Sequence, residues 1–452
     1  MKNDMTRGSI LKSILYFTTF IFLGNLFQQF YNIIDSLIVG NVNGEDALAS
    51  ISATGPICFM FIGLLIGVSS GFGIKMAHVF GAKKFDLLRK YHAMAIFLSF
   101  VLGSAITFLL LVFNNLILKF MNTPDNIYIP TYIYIMIIYV GIVPTMFYNL
   151  CSSTLRAVGN GKMPLVFLII SSVTNIILDI VFVYYFSFGV IGAAIATVIS
   201  QVFSVFISFI YIFKKYSFLK VSKRDFKIDK KIIFELLKQG VPMGLQFSIT
   251  AFGVMVVQVE LNKYGAEYIA GFGVSSKIQG IVMQLFIGLG IAISNFIGQN
   301  YGAKKFDRIK RGISYSTVIS IIFSIIAIFL IKTFGNVIVE SFVPNASYIM
   351  KKSASIYFNC VMYFYPCLAL LFVYRNALQG FGRSDLSMLG GVFELIARVL
   401  VIVLLTSSYG YYGVCFSDSL AWVFALIPLI PLFFVVYNKE INKNKQKIEM
   451  NL

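Results

Sequence analysis

Charged residues are scarce in this sequence. They make up 12% of its 452 residues, against about 25% in soluble domains. Hydrophobic residues make up 58%, and the mean hydropathy is +0.84. One soluble core cannot bury so much apolar surface. The composition therefore excludes an ordinary water-soluble protein and indicates that lipid is the solvent for most of the chain.

Acidic residues are scarcer than basic ones. There are 19 Asp and Glu and 37 Lys and Arg, which gives a formal net charge of +18. Nucleic-acid binding would need the basic residues clustered on a polar domain, whereas here they are distributed between apolar runs. We therefore expect no nucleic-acid partner and interpret the positive charge as a signal of membrane topology.

The side chains that usually form catalytic or metal centres are also few. There are two histidines and five cysteines, no CxxC pair and no G-x-x-x-x-G-K-[ST] nucleotide loop. These absences predict that the protein is neither an enzyme nor a nucleotide-driven pump. The remaining energy source is an ion gradient. We therefore expect no cofactor, and H+ or Na+ as the coupling ion.

Twelve apolar stretches are long enough to cross about 30 Å of hydrocarbon. They are residues 14–39, 51–78, 91–118, 129–154, 164–186, 190–213, 233–259, 268–299, 313–334, 353–379, 387–408 and 411–437. They predict an all-α integral membrane protein with twelve transmembrane helices.

The two sets of six spans are related by an internal repeat. The sequence GAKKFD occurs at residues 81–86, between the second and third spans, and again at residues 302–307, between the eighth and ninth. We therefore predict two homologous six-helix bundles related by a pseudo-twofold axis along the membrane normal. The predicted domains are an N-terminal lobe (1–213), a basic cytoplasmic linker (214–232), a C-terminal lobe (233–437) and a cytoplasmic tail (438–452).

Basic residues fall mainly on alternate connections between the spans. Those connections carry 30 of the 37 Lys and Arg residues, the opposite connections carry five, and two lie inside spans. Since basic loops stay on the cytoplasmic side, the pattern predicts a multi-pass protein of the cell membrane with both termini in the cytoplasm.

A few ionisable residues lie inside spans, where each costs at least about 2.5 kcal/mol. Asp35 of the first span and Asp179 of the fifth are predicted at similar depth, with Tyr31 and Asn175 each one turn away. Two buried carboxylates close together disfavour ionisation of both, which predicts a proton site. The alternative, two separate structural aspartates, remains open at this point.

The second half differs from the first in its charges. Glu394 and Arg398 are spaced to pair on one helical face, so either a structural salt bridge or a gating role is expected. Lys277 has no partner that the sequence identifies, and Asp418 is expected near the outer rim. The candidates for substrate binding or gating are Glu394, Arg398, Lys277, Gln246 and Asp418.

Several motifs together resemble a known family, the multidrug and toxic compound extrusion (MATE) transporters, in particular their prokaryotic DinF-like branch. The motifs are GNLFQQFYNIID at residues 24–35, FGAK at 80–83, LRAVGNGKMP at 155–164, NIILD at 175–179 and GVPMGLQ at 240–246. The resemblance covers nearly the whole chain.

The resemblance implies a V-shaped cleft between two bundles and exchange of drug for H+ or Na+ by alternating access. Matched residue by residue, it places a cation site on Tyr31, Asp35, Asn175, Asp179 and Thr197. One departure concerns a proline that the family often has in its first helix, because Phe20 stands there, while Pro242 is kept in the second half.

The sequence thus predicts a multidrug efflux antiporter for amphipathic, often cationic, drugs, in contact with membrane lipid and monomeric. The alternative is a lipid-linked oligosaccharide flippase of related two-lobe architecture, for which a cationic cleft would be expected. A channel or receptor without coupling is a third class, which the internal duplication disfavours.

Overall fold

The computed structural model describes residues 4–121, 123–343 and 347–449, which are helical over most of their length. Helices α1 to α6 are Ile10–Gly81, Phe85–Phe120, Asp125–Val140, Ile142–Ala157, Lys162–Asp179 and Gly189–Lys215. Helices α7 to α13 are Lys230–Leu261, Ala266–Gly302, Phe306–Phe342, Tyr348–Val361, Tyr365–Gly380, Ser384–Tyr409 and Tyr411–Glu449. No strand occurs among these residues.

The number of spans agrees with the prediction. Within the described residues, eleven segments are long and apolar enough to cross a membrane, and α3 with α4, bent by 44°, makes a twelfth. The chain stays helical between the first two spans, so that α1 contains both Ile10–Gly40 and Ile57–Gly81. The all-α, twelve-span fold class is therefore confirmed.

The fourth span of each half is interrupted at the same place. Gly141 separates α3 from α4, and a 3-10 turn at Met362–Phe364 separates α10 from α11. Pro144 and Pro366 follow these breaks, and a proline cannot donate the helical hydrogen bond to the preceding turn. The paired prolines of the repeat thus mark paired helix breaks.

The repeated GAKKFD segments adopt the same turn. Lys83 and Lys304 have φ of 58° and 57°, a left-handed conformation unusual for lysine. The amide of Lys84 donates to the carbonyl of Val79, and that of Lys305 donates to Asn300 in the corresponding bond. The sequence repeat is therefore a structural repeat.

The register of the repeat changes along the chain. Gly189 and Gly410 close equivalent turns, with φ of 59° and 55°, and have the same separation as the two GAKKFD segments. Gly159 and Gly382 also close equivalent turns, with φ of 89° and 81°, but their separation is greater by two. The first half therefore has two additional residues between its two glycines, and this interval contains a π-helix at Ile180–Tyr185.

The chain divides into two compact units. Unit 1 contains Leu23–Gly244, and unit 2 contains Met5–Phe22 together with residues 245–449. The segment 5–22 and the first part of α7 therefore lie in the unit opposite to the lobe predicted for them. As functional domains, the lobes, linker and tail stay a prediction.

Specific contacts explain where the segment 5–22 lies. In unit 2 the Met5 amide donates to Gln299 Oε1 at 3.0 Å, and Lys305 Nζ donates to the Thr6 carbonyl at 2.8 Å. Arg308 Nη1 donates to the Gly8 carbonyl at 3.0 Å. Polar side chains of the second GAKKFD region thus hold the backbone that precedes α1.

In unit 1, glycines bring α7 against the second span of α1. A Cβ atom on Gly67 would lie 2.6 Å from the Cα of Gly244, and one on Gly71 would lie 2.5 Å from the Cα of Gly240. Both pairs have the G-x-x-x-G spacing that permits close approach of membrane helices. Only glycine fits at these crossings.

Candidate functional site

Five oxygen- or amide-bearing side chains from three helices meet in unit 1. Tyr31 and Asp35 are one turn apart on α1, Asn175 and Asp179 are one turn apart on α5, and Thr197 lies on α6. A spacing of four residues places each pair on one helical face. The structure therefore brings together all five residues of the predicted cation site.

Hydrogen bonds connect the members of this cluster. Asn175 Nδ2 donates to Thr197 Oγ1 at 3.4 Å, and Thr197 Oγ1 donates to the Ala193 carbonyl at 3.0 Å. The hydroxyl of Tyr31 is hydrogen-bonded to the side chain of Thr197. Asn175 and Asp179 are 1% and 0% exposed, so the α5 side of the cluster is buried.

The two carboxyl groups of the cluster lie close to each other. The side chains of Asp35 and Asp179 are within hydrogen-bonding reach. Ionised carboxylates are acceptors only, so a bond between two of them requires a proton. The pair can therefore hold one proton and one negative charge, which a second proton or a hard cation such as Na+ would neutralise.

The groups that act electrostatically on the pair are neutral or acidic. Tyr134 of α3, which is 8% exposed, lies close enough to interact with both carboxyls and with Tyr31. Among the described residues, no lysine or arginine acts electrostatically on Asp35 or Asp179. Tyr134 is an addition that the sequence pattern did not indicate, because one tyrosine among many in a span carries no distinctive spacing.

A π-helix begins at the residue after Asp179 and extends over Ile180–Tyr185. π-Helices are rare and occur frequently at functional sites. This one widens the turn that follows the carboxylate, and it lies in the interval in which the first half has its two additional residues. No sequence signal predicted it, since its residues are as apolar as the rest of the span.

Unit 2 contains a chain of four charged side chains, of which Glu394 and Arg398 are buried. Arg375 Nη1 lies 3.2 Å from Glu394 Oε1, and Arg398 Nη1 lies 3.6 Å from Glu394 Oε2. Nε and Nη2 of Arg398 both donate to Asp418 Oδ1 at 3.1 Å. The predicted pairing of Glu394 with Arg398 is thus present, and it is one part of a larger network.

Arg375 was not among the residues predicted from the sequence. Its position near the end of the tenth span placed it with the cytoplasmic connections, but it lies within α11 and its side chain is 12% exposed. Its guanidinium also lies 4.4 Å from the ring centroid of Phe372. The missing signal was a carboxylate one helix away, which a linear pattern cannot show.

The other candidates of the second half lie apart from this network. Lys277 is exposed on α8 and pairs with no acidic group among the described residues. Gln246 is 5% exposed, and its Oε1 accepts from Gln379 Nε2 at 3.2 Å and from Ser387 Oγ at 3.4 Å. Gln246 therefore connects α7 with α11 and α12.

Comparison with known proteins gives a consistent picture. A family model described as MatE matches residues 21–181 and again residues 242–404. The starts of the two matches have the separation of the two GAKKFD segments, and their ends have the larger separation of Gly159 and Gly382. The model thus follows the same two registers as the structure.

Two bacterial relatives and one solved structure are similar over most of the chain. "Probable multidrug resistance protein YoeA" of Bacillus subtilis strain 168 is 30% identical over 348 residues, 75% of each chain. "Probable multidrug resistance protein YpnP" of the same strain is 26% identical over 427 residues, 93% of this chain and 94% of its own. A crystal structure of "MATE in complex with MaL6" has a TM-score of 0.90 and 20% identity, over 98% of this chain and 100% of that one.

Proposed function

Since the chain belongs to the MatE family of multidrug efflux transporters, we propose that it exports amphipathic, often cationic, drugs in exchange for H+ or Na+. The coupling ion enters at the cluster of Tyr31, Asp35, Asn175, Asp179 and Thr197. The observation that carries the proposal is that the carboxyl groups of Asp35 and Asp179 lie within hydrogen-bonding reach of each other, with Asp179 fully buried.

The chemistry of the cluster suits a monovalent cation. The pair with its shared proton has a single negative charge, and burial makes such a charge costly. A proton or a partly dehydrated Na+ removes this cost, and carboxylate, amide and hydroxyl oxygens are ligands that hard cations prefer. Occupied and empty states of the cluster therefore differ in energy, as ion coupling requires.

The exchange follows from differential affinity. Ion and drug each bind more tightly to a different arrangement of the protein, so binding of one promotes release of the other. A membrane potential of about 100 mV supplies roughly 2.3 kcal/mol for each net charge that enters, and for a neutral drug that energy corresponds to a gradient of about 50-fold.

We place the protein in the cell membrane with both termini in the cytoplasm, in contact with lipid, and as a monomer. The orientation is supported by the distribution of basic residues over alternate connections. We expect its cargo to be small molecules. The names of YoeA and YpnP, each a "probable multidrug resistance protein", support this expectation. The same relatives do not favour the flippase alternative.

The proposal is tested by replacing Asp35 with Asn in proteoliposomes. We expect gradient-driven uptake of a cationic dye to fall at least about tenfold, because the pair loses the charge that attracts the ion. Imposed pH and Na+ gradients, applied separately, identify the ion.

The matched control is Glu260→Gln. Glu260 lies in the last turn of α7 and pairs with exposed Lys263 at 2.7 Å, so this variant should transport like the wild type. An Asp35→Asn protein that exchanged dye for ions at the wild-type rate would disprove ion coupling through the carboxyl pair.

A further inference from the structure

Two residues of the charged network in unit 2 occupy positions equivalent to two residues of the unit 1 cluster. In the register of Gly159 and Gly382, Arg398 is the counterpart of Asn175. In the register of Gly189 and Gly410, which holds after the π-helix, Asp418 is the counterpart of Thr197.

The contacts of these counterparts correspond as well. Asn175 bonds to Thr197 in unit 1, and Arg398 bonds to Asp418 in unit 2. The two halves therefore place a polar α5–α6 contact and a polar α12–α13 contact at one equivalent position.

The charges at this position differ between the halves. In unit 1 the anionic carboxyl pair is accompanied by hydroxyl and amide groups. In unit 2 the carboxylates of Glu394 and Asp418 are balanced by the guanidiniums of Arg375 and Arg398. The network of unit 2 is thus neutral without any added ion, whereas the carboxyl pair of unit 1 is not.

The exposed part of Asp418 lies on the face of α13 opposite to the apolar, lipid-facing surface of that helix. Its side chain is 20% exposed, and it lies two and a half turns from Ile427, on the opposite face of α13. The outward face of the helix consists of exposed apolar residues such as Ile427, while Val414 and Trp422, one turn to either side of Asp418, are buried. The exposed part of Asp418 is therefore not the lipid-facing part.

The contacts of Arg398 are incomplete on one side. Its Nη1 atom is buried and has no hydrogen-bond partner among the described residues, although it lies at ion-pair distance from Glu394. Gly253 of α7 leaves the space for this side chain, because a Cβ atom there would lie 3.0 Å from Nη1. The guanidinium thus lies between Glu394 and Asp418 and binds Asp418 more closely.

We propose that Arg398 is a tethered cation that fills the counterpart in unit 2 of the coupling-ion site and so restricts ion binding to unit 1. This inference rests on the proposed ion-coupled function. Asp418 occupies the position of an ion ligand. Arg398 is the positioning residue, and its guanidinium permanently neutralises the charge of Asp418.

The groups that face Arg398 determine what happens without it. They are Gly253 of α7, Arg375 of α11, Glu394 of α12 and Asp418 of α13. Tyr357 of α10 and Cys415 of α13 interact with Asp418. Two carboxylates and one guanidinium would remain, with a net charge of minus one. That is the charge of the carboxyl pair in unit 1, so the altered site should bind a proton or Na+.

The test is the number of ions bound by purified protein in detergent, measured with radioactive Na+ at constant pH and with a pH-indicator dye at constant Na+. We expect one ion for each wild-type chain and two for Arg398→Asn, which copies Asn175. Arg398→Lys keeps the fixed cation and should bind one. The double variant Asp35→Asn/Arg398→Asn should bind one ion, at unit 2.

The outcomes separate the two proposals. A wild-type chain that binds no ion contradicts the proposed function. A wild type with one ion and a folded Arg398→Asn protein that also has only one contradicts the tethered cation alone.

A second variant leaves Arg398 in place and avoids an unpaired carboxylate. Gly253→Ala shifts the guanidinium by a few tenths of an ångström but leaves the two carboxylates balanced by the two guanidiniums, so this variant should still bind one ion. Gly273→Ala is the control, because the described structure has no atom within 4 Å of a Cβ there. A second ion bound by Gly253→Ala but not by Gly273→Ala at saturating Na+ and H+ would also contradict the proposal, because the charge of the network is unchanged.

Discussion

Asp225 shows how a single carboxylate fixes the segment between the two halves. Its Oδ2 atom accepts hydrogen bonds from the Ser222 amide at 2.8 Å and from the Ser222 hydroxyl at 2.6 Å. Its Oδ1 atom accepts from Arg89 Nε of α2 at 3.1 Å. Burial raises the pKa of Asp225, but the hydrogen bonds from Ser222 and Arg89 outweigh burial and hold the pKa below its ordinary value.

This lowered pKa predicts a pH-dependent loss of stability in Asp225→Asn. In unfolded chains an aspartate has a pKa of about 3.9, so the carboxylate stabilises the fold above that pH. The stabilisation disappears as pH falls through the lower folded-state value. We expect the variant to be destabilised by about 1–3 kcal/mol at pH 7, with a difference that vanishes in strong acid, as measured by thermal unfolding in detergent.

Asp86→Asn is the control for Asp225→Asn. Asp86 pairs with the same arginine at 3.1 Å, but its side chain is 94% exposed. Exposed pairs contribute at most about 1 kcal/mol. A larger loss in Asp86→Asn than in Asp225→Asn would contradict the assigned role of Asp225.

At the scale of helices, the close crossing of α1 and α7 depends on glycines, which have no side chain. Gly71→Ala places a methyl group 2.5 Å from the Cα of Gly240 and 2.7 Å from its nitrogen, so the two helices must separate. Overpacking of this kind costs about 1–3 kcal/mol. We therefore expect a lower unfolding temperature in detergent.

Gly280→Ala is the matched control within a helix. A Cβ atom at Gly280 meets nothing within 4 Å in the described part of the chain, and alanine is the better helix former by about 1 kcal/mol. Its unfolding temperature should be unchanged or slightly higher. Equal loss in both variants would mean that the close crossing does not contribute to stability.

The same scale shows what the sequence could predict. Hydropathy located the twelve spans because a span of about 20 apolar residues is a local property, and the repeated GAKKFD located the equivalent turns. The carboxyl pair was predictable because Asp35 and Asp179 are rare charges at matched depth. The π-helix after Asp179 and the partner of Arg375 were not, because they depend on backbone hydrogen bonding and on contacts between distant helices.

For the whole molecule, the orientation is a prediction that thiol labelling can test. In right-side-out vesicles, we expect a membrane-impermeant maleimide to label Lys119→Cys but not Lys223→Cys, in a background with the native cysteines replaced. Both lysines are exposed in the structure, so access depends on the side of the membrane. Both cysteines should be labelled in permeabilised vesicles. Labelling of Lys223→Cys alone in sealed vesicles would contradict the predicted topology.

The lobes predicted from the repeat and the units found in the structure differ for one reason. Each segment was assigned from the sequence to the half in which it is encoded, which is the simplest rule when contacts are unknown. The bonds to the backbone of Met5, Thr6 and Gly8 and the glycine crossing with Gly240 and Gly244 join segments to the other half. Such long-range contacts leave no local pattern.

This exchange of segments has a consequence for the order in which the protein is made. Unit 1 is complete only after the ribosome has synthesised Gly244, well beyond the end of the first six spans. Unit 2 needs residues 5–22, which leave the ribosome before every other part of that unit. Residues 5–22 must therefore remain without their final partners until α8 and α9 have been synthesised and inserted.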